Sequence, residues 1–264
     1  MKFDFKQFIL LFFILLVASL DSVERYFELD QIAFWGIGLG LLIIYGISYY
    51  LNRKFAPTIV FFIILHFCRY INEWFTQLIG TNFNGTYFLI PVVLFTLLIL
   101  FFPRIKSTIG WWHKESVDRK LILQMLLAVG ISSIAMFIYL KMNQSSIDRF
   151  IGMLPEGSFL FLIVMGIAYA VLNAVVEEYI FRGMIWNGLE KIMTNKPLII
   201  FTQAAIFGIS HYWGLPGGIT GVVLIFFWSL YLGYIRQKTG GILAVIGLHF
   251  GANLLQYFML FLFR

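Results

Sequence analysis

The chain has 264 residues, of which 61% are hydrophobic and 12% charged. Soluble domains carry about 25% charged residues, so the composition excludes an ordinary soluble enzyme and belongs in a bilayer. The net charge of +6 is read as basic cytoplasmic loops rather than nucleic-acid binding, and the single cysteine, Cys68, excludes an intrachain disulfide.

Lys2 and Lys6 precede an apolar run at 8–20. Large Leu20 and the absence of an A-x-A pattern argue for an uncleaved first span over a signal peptide. Residues 21–30 read as an acidic loop. The second span, 31–51, is closed by Asn52, Arg53 and Lys54. A third, 57–71, carries His66 and Arg69 and leads into a polar loop with Asn82, Asn84 and Gly85. The fourth, 87–102, stops at Pro103, Arg104 and Lys106.

Residues 104–120 form the longest polar stretch, with Trp111, Trp112, His113 and Lys114 placed like an interfacial segment. The fifth span is 121–140. The polar stretch 141–157 follows, in which Met153, Leu154 and Pro155 dip into the interface. From Phe159 the apolar run lasts through Val176, and helical character continues across Arg182 to about Ile192. That exceeds one straight span of about 20 residues, so a tilted or broken helix is expected. Further spans at 197–210, 219–235 and 242–263 complete the chain.

The expected fold is an all-α, polytopic membrane helix bundle of eight transmembrane helices, or nine with the N-terminal one. It forms one integral-membrane domain: 1–120 holds spans without a recognisable motif, and 121–264 is the core carrying the polar motifs. With nine spans and a cytoplasmic N-terminus, only Arg25, Arg69, Lys141, Arg149 and Arg264 of the 19 basic residues fall outside the inner segments. That bias places the protein as multi-pass in the cell membrane, with its N-terminus inside.

One stretch stands out chemically. Glu177, Glu178 and Arg182 sit inside an apolar helical run. A charge near the centre of a membrane costs roughly 2.5–3.5 kcal/mol on insertion scales, so such residues usually face a protein interior and have a task. Helix positions four apart share a face, so Glu178 and Arg182 can pair. Glu177 lies about 100° round the helix and stacks with Asn173 instead. One carboxylate is thus neutralised while the other is free as a general base. The bland alternative is that both acids merely clamp helices together, for which one paired acid would suffice.

Depth counting adds His211. Glu177 lies about 17 residues before the turn near Thr194 and His211 about 16 beyond it, roughly 26 and 24 Å of helix. An antiparallel hairpin brings them to one level. His249 and Asn253, four apart on the last span, form a second polar pair able to donate hydrogen bonds to an oxyanion. Their depth fits less well, since His249 is only about 13 Å from the turn at Gly240, and tilt or a late helix start must absorb the difference. An interhelical clamp is the alternative for this pair. His66 reads as packing and His113 as a solvated loop residue. No H-E-x-x-H, no Gly-x-Gly-Asp and no phosphate-binding loop occurs.

Together, E-E-x-x-x-R at 177–182, F-x-x-x-H at 207–211 and H-x-x-x-N at 249–253 resemble, in order, the motifs of the CAAX-protease and bacteriocin-processing (Abi) family of intramembrane endopeptidases. That family includes the type II CAAX prenyl endopeptidases. The resemblance covers about a third of the chain, roughly 160–256. It implies that Glu177 activates a water held with His211, that His249 and Asn253 stabilise the oxyanion, and that Glu178 and Arg182 shape the pocket. No cofactor is favoured. Two histidines and a glutamate could ligate zinc, but a metal-free site is preferred, in which chelators leave activity intact. Admissible substrates are membrane-tethered or hydrophobic peptides and proteins: prenylated tails, peptide leaders or lipid-anchored proteins. Some relatives act in bacteriocin immunity or bind membrane partners, so a non-catalytic regulator is the alternative. A proton-coupled transporter is the third reading, weakened by the lack of an internal repeat.

Overall fold

The computed structural model describes residues 4–26, 30–79, 86–111 and 115–264. Every regular element among them is helical. In chain order these are α1 (Phe5–Tyr26), α2 (Gln31–Leu51), α3 (Ala56–Ile79), α4 (Thr86–Phe101), the short α5 (Pro103–Lys106), α6 (Arg119–Met142), α7 (Gln144–Ile151) and α8 (Phe159–Glu178). A π-helical segment, Tyr179–Ile185, joins α8 to α9 (Trp186–Ile192). Then come α10 (Lys196–Ser210), α11 (Gly218–Thr239), α12 (Leu243–Leu260) and a final 3-10 turn, Phe261–Phe263.

Five helical stretches among the described residues are long and apolar enough to cross a membrane: Gln31–Leu51, Arg119–Met142, Phe159–Ile192, Gly218–Thr239 and Leu243–Phe263. The expectation of eight to nine spans is narrowed accordingly. The other four apolar stretches, Phe5–Leu20, Ala56–Ile71, Leu89–Phe101 and Lys196–Ser210, hold 10–17 residues. The helices that carry the first two of these, α1 and α3, run to 22 and 24 residues. The outer faces are apolar: on α6, Leu126, Ile131 and Ile134 are 64%, 69% and 64% exposed. A helix that turns such a face outward suits lipid, not water. The architecture is that of a polytopic helical membrane protein.

Helix ends depart from the apolar runs for a physical reason. Hydropathy marks where side chains leave the lipid, whereas a helix stops where its backbone hydrogen bonds are capped. Residues 21–26, expected in an acidic loop, continue α1, and α3 runs to Ile79 instead of ending near Ile71. The stretch 141–157 contains α7. Leu154, expected at an interface, is buried in a cluster with Met136, Leu140, Ile147, Tyr257 and Leu260. Where caps are visible in the sequence they form: Asp30 accepts from Ala33 N at 2.7 Å and Asp118 from Leu121 N at 2.7 Å. Asn82, Asn84, Gly85, Trp112, His113 and Lys114 lie outside the described residues.

By internal contacts the chain divides into two compact units, Met1–Trp112 with Gly183–Ile199, and His113–Arg182 with Ile200–Arg264. In the first, α3 packs on α2 and α4, and α1 on α9. In the second, α12 is central and packs against α8, α6 and α11. One contact there sets helix spacing. A side chain at Gly166 of α8 would lie 2.6 Å from the Tyr257 ring of α12, so only glycine admits this approach.

Candidate active site

The polar residues of the second unit gather where α8, α10, α11 and α12 meet. Glu178 and Arg182 are fully buried and bond at 2.9 Å from Nη1 to Oε1, as the four-residue spacing requires. Arg182 Nη2 donates to Ser229 Oγ on α11 at 2.6 Å. Ser229 Oγ also accepts from Gln203 Nε2 of α10 at 3.2 Å. The guanidinium lies over the Phe207 ring, 4.5 Å from its centroid, a geometry that favours a desolvated cation. Phe207 is the aromatic floor of the site: its ring contacts His211 at 4.4 Å and Phe181 at 4.5 Å between centroids.

Glu177 points elsewhere. Its Oε1 is 3.9 Å from His211 Nε2 and its Oε2 is 3.6 Å from His249 Nε2. Both distances exceed a hydrogen bond. His211 Nδ1 lies 3.0 Å from the Phe207 carbonyl, which can only accept. Nδ1 is therefore the nitrogen that donates there, which leaves Nε2 as the one turned toward Glu177. His211, half-buried at the end of α10, reaches the level of Glu177 as the depth count predicts.

His249 makes a contact that the sequence reading lacked. Its Nδ1 sits 2.6 Å from Glu178 Oε1, so Glu178 holds Arg182 and His249 at once. The depth problem resolves through Arg236, a buried residue near the end of α11. Its Nε donates to the Arg182 carbonyl at 3.2 Å, and its Nη1 bonds the Gly240 carbonyl. The turn into α12 therefore lies beside Arg182, and a helix that starts there needs only the short distance back to Glu178. The Arg182 carbonyl belongs to the π-helical segment, whose wider i→i+5 turn is a common feature of functional sites.

Asn253 is buried one turn beyond His249, and neither its Nδ2 nor Glu177 Oε2 has a hydrogen-bond partner among the described residues. Asn173 is half-buried one turn before Glu177, and the expected pairing between them is absent among the described residues. The two side chains are separated because Glu177 turns to the histidines of α10 and α12. Sequence reasoning missed Gln203, Ser229 and Arg236. Arg236 carried a signal, a charge at the end of an apolar run, whereas Gln203 and Ser229 are single uncharged polar residues inside apolar runs. Among the described residues no group of three or more His, Cys, Asp or Glu is arranged to hold a metal ion.

The unit thus holds a buried Glu–Arg pair and a second carboxylate that faces two imidazoles. Residues 159–255 match the family described as Type II CAAX prenyl endopeptidase Rce1-like, a stretch that contains Glu177, Glu178, Arg182, His211, His249 and Asn253. Comparison with curated proteins found no significant match, and comparison with solved structures found none either.

Proposed function

We propose that the protein is an intramembrane endopeptidase that hydrolyses a peptide bond of a membrane-tethered or hydrophobic substrate. The observation that carries this reading is the convergence of one carboxylate, Glu177, on the Nε2 atoms of two histidines from different helices, inside the stretch that matches the endopeptidase family.

A gap of 3.9 Å between two acceptors suits a shared water, since polar contacts beyond about 3.5 Å are commonly water-bridged. That water donates one proton toward Glu177 and the other toward His211 Nε2, which leaves its oxygen lone pairs for attack. The oxygen bonds to the scissile carbonyl carbon as Glu177 takes the proton. With His249 as the imidazolium and its Nδ1–H on Glu178, its Nε2–H and Asn253 Nδ2 donate to the oxyanion, whose charge develops only in the transition state; His249 keeps both protons throughout. Collapse breaks the C–N bond, and the leaving amine takes the proton from Glu177. Glu178 and Arg182 do not touch the reacting atoms: Glu178 fixes the His249 ring by accepting from Nδ1, and Arg182 balances its charge. Every proton is returned within the cycle.

The test is to compare peptide termini in membranes from cells that express wild type or Glu177→Gln at matched levels. Termini that arise only with wild type support the peptidase reading and define the substrate class. Identical sets, with a cellular phenotype that still depends on the protein, favour a binding or immunity role.

A further inference from the structure

We infer that Glu115, which lies outside the family-matching stretch, is a positioning residue for His249. Its carboxylate caps the start of α12 from 128 residues away: Leu243 N donates to Oε1 at 2.5 Å and Ala244 N to Oε2 at 2.8 Å. The residue at the N-cap position, Ile242, makes no side-chain cap of its own. The first amides of a helix have no intrahelical acceptor and form the positive end of its dipole, so a bidentate carboxylate is the strongest available cap.

This cap governs more than local stability. α12 packs on its neighbours through Ala244, Val245 and Leu248 against Leu121, Leu232 and Ile235. The burial of apolar area is non-directional, and side-chain packing sets the axial position only together with directional bonds. Glu115 holds the first turn of α12 on one side. On the other, Arg236 ties Gly240 and the Arg182 carbonyl together. His249 lies five residues past Ala244, about 7.5 Å along the helix, and its 2.6 Å bond to Glu178 tolerates little sliding.

A second observation agrees. A side chain at Gly241 would lie 2.6 Å from Cγ and Cδ of Glu115, so the turn keeps a glycine where the carboxylate must pass. Gly241→Ala would push the carboxylate off the helix start while leaving Glu115 in the chain.

The catalytic half of this inference rests on the peptidase reading, so the test has a readout that does not. In protein with 15N-labelled histidine in nanodiscs, the His249 Nδ1 proton is assigned by its loss in His249→Gln. Glu115→Ala and Gly241→Ala are expected to shift or broaden that resonance. Glu115→Gln, which keeps one acceptor oxygen, should fall between. With internally quenched apolar peptides as probe, kcat should drop about 10- to 100-fold, as small misplacements of catalytic groups do, with KM unchanged. An unchanged His249 resonance in folded Glu115→Ala and Gly241→Ala overturns the inference, even where unfolding temperatures fall. Absence of cleavage by wild type, with the resonance shifted in the variants, overturns the peptidase reading and leaves the positioning contact standing.

Discussion

Both units bury polar side chains, but they treat them differently. In the first, His66 Nε2 meets the Phe34 carbonyl at 3.2 Å while the two rings stack at 4.2 Å between centroids. Thr58 Oγ1 donates to the Met184 carbonyl at 3.4 Å. These side chains close on backbone carbonyls, as structural polar residues in apolar surroundings do. In the second unit side chains close on side chains. The two terminal nitrogens of Arg182 are bonded to Glu178 and Ser229, yet Arg182 Nε, Glu178 Oε2, Glu177 Oε2 and Asn253 Nδ2 have no hydrogen-bond partner among the described residues. The division between the units is not in whether atoms are orphaned, since Ser48 Oγ and Asn187 Nδ2 of the first are orphaned too, but in where: Glu177 Oε2 of the second faces a histidine from another helix.

That division can be broken in order of effect. Arg182→Met leaves the buried Glu178 without its cation, which costs about 3–5 kcal/mol; the expected outcome is a large fall in unfolding temperature and little folded protein in detergent. Asn253→Ala removes an atom that makes no bond in the folded chain, so its unfolding temperature should barely move. Peptide cleavage should nevertheless fall about 10²–10³-fold, the usual effect of deleting an oxyanion donor. His66→Leu in the first unit removes the hydrogen bond to the Phe34 carbonyl and the stack on the Phe34 ring. It should lower stability by about 1 kcal/mol and leave turnover per folded molecule at the wild-type value. Loss of turnover in His66→Leu, or loss of folding in Asn253→Ala, would erase the contrast between the units.

The sequence made much of this legible, unevenly. The limits of α2 coincide with the apolar run 31–51 because Asp30 and Asn52 flank it as caps. The over-long run from Phe159 was legible as an irregular helix, and a π-helical turn is what interrupts it. Glu178 with Arg182 followed from spacing, and His211 from counting residues about a turn. The bond from His249 to Glu178 did not follow. It depends on where the α11–α12 turn sits, which Arg236 and Glu115 set through contacts 54 and 128 residues apart in sequence. Nor did Ser229 and Gln203 stand out, since a lone serine or glutamine in an apolar helix reads as incidental until its partner is known. Periodicity reports which face is apolar; it carries no information on which buried polar groups meet.

The central claim is that Glu177 works as a base and not as a clamp. The most direct measurement takes purified wild type and Glu177→Gln and follows peptide cleavage and thermal unfolding on the same samples. Glu177 lies beyond hydrogen-bond distance from both histidines, so the substitution should leave the unfolding temperature within the spread of surface variants. Cleavage should fall at least about 10²-fold, the usual contribution of a general base. A variant that cleaves as well as wild type but unfolds several degrees lower would make Glu177 a structural acid, and would contradict the account.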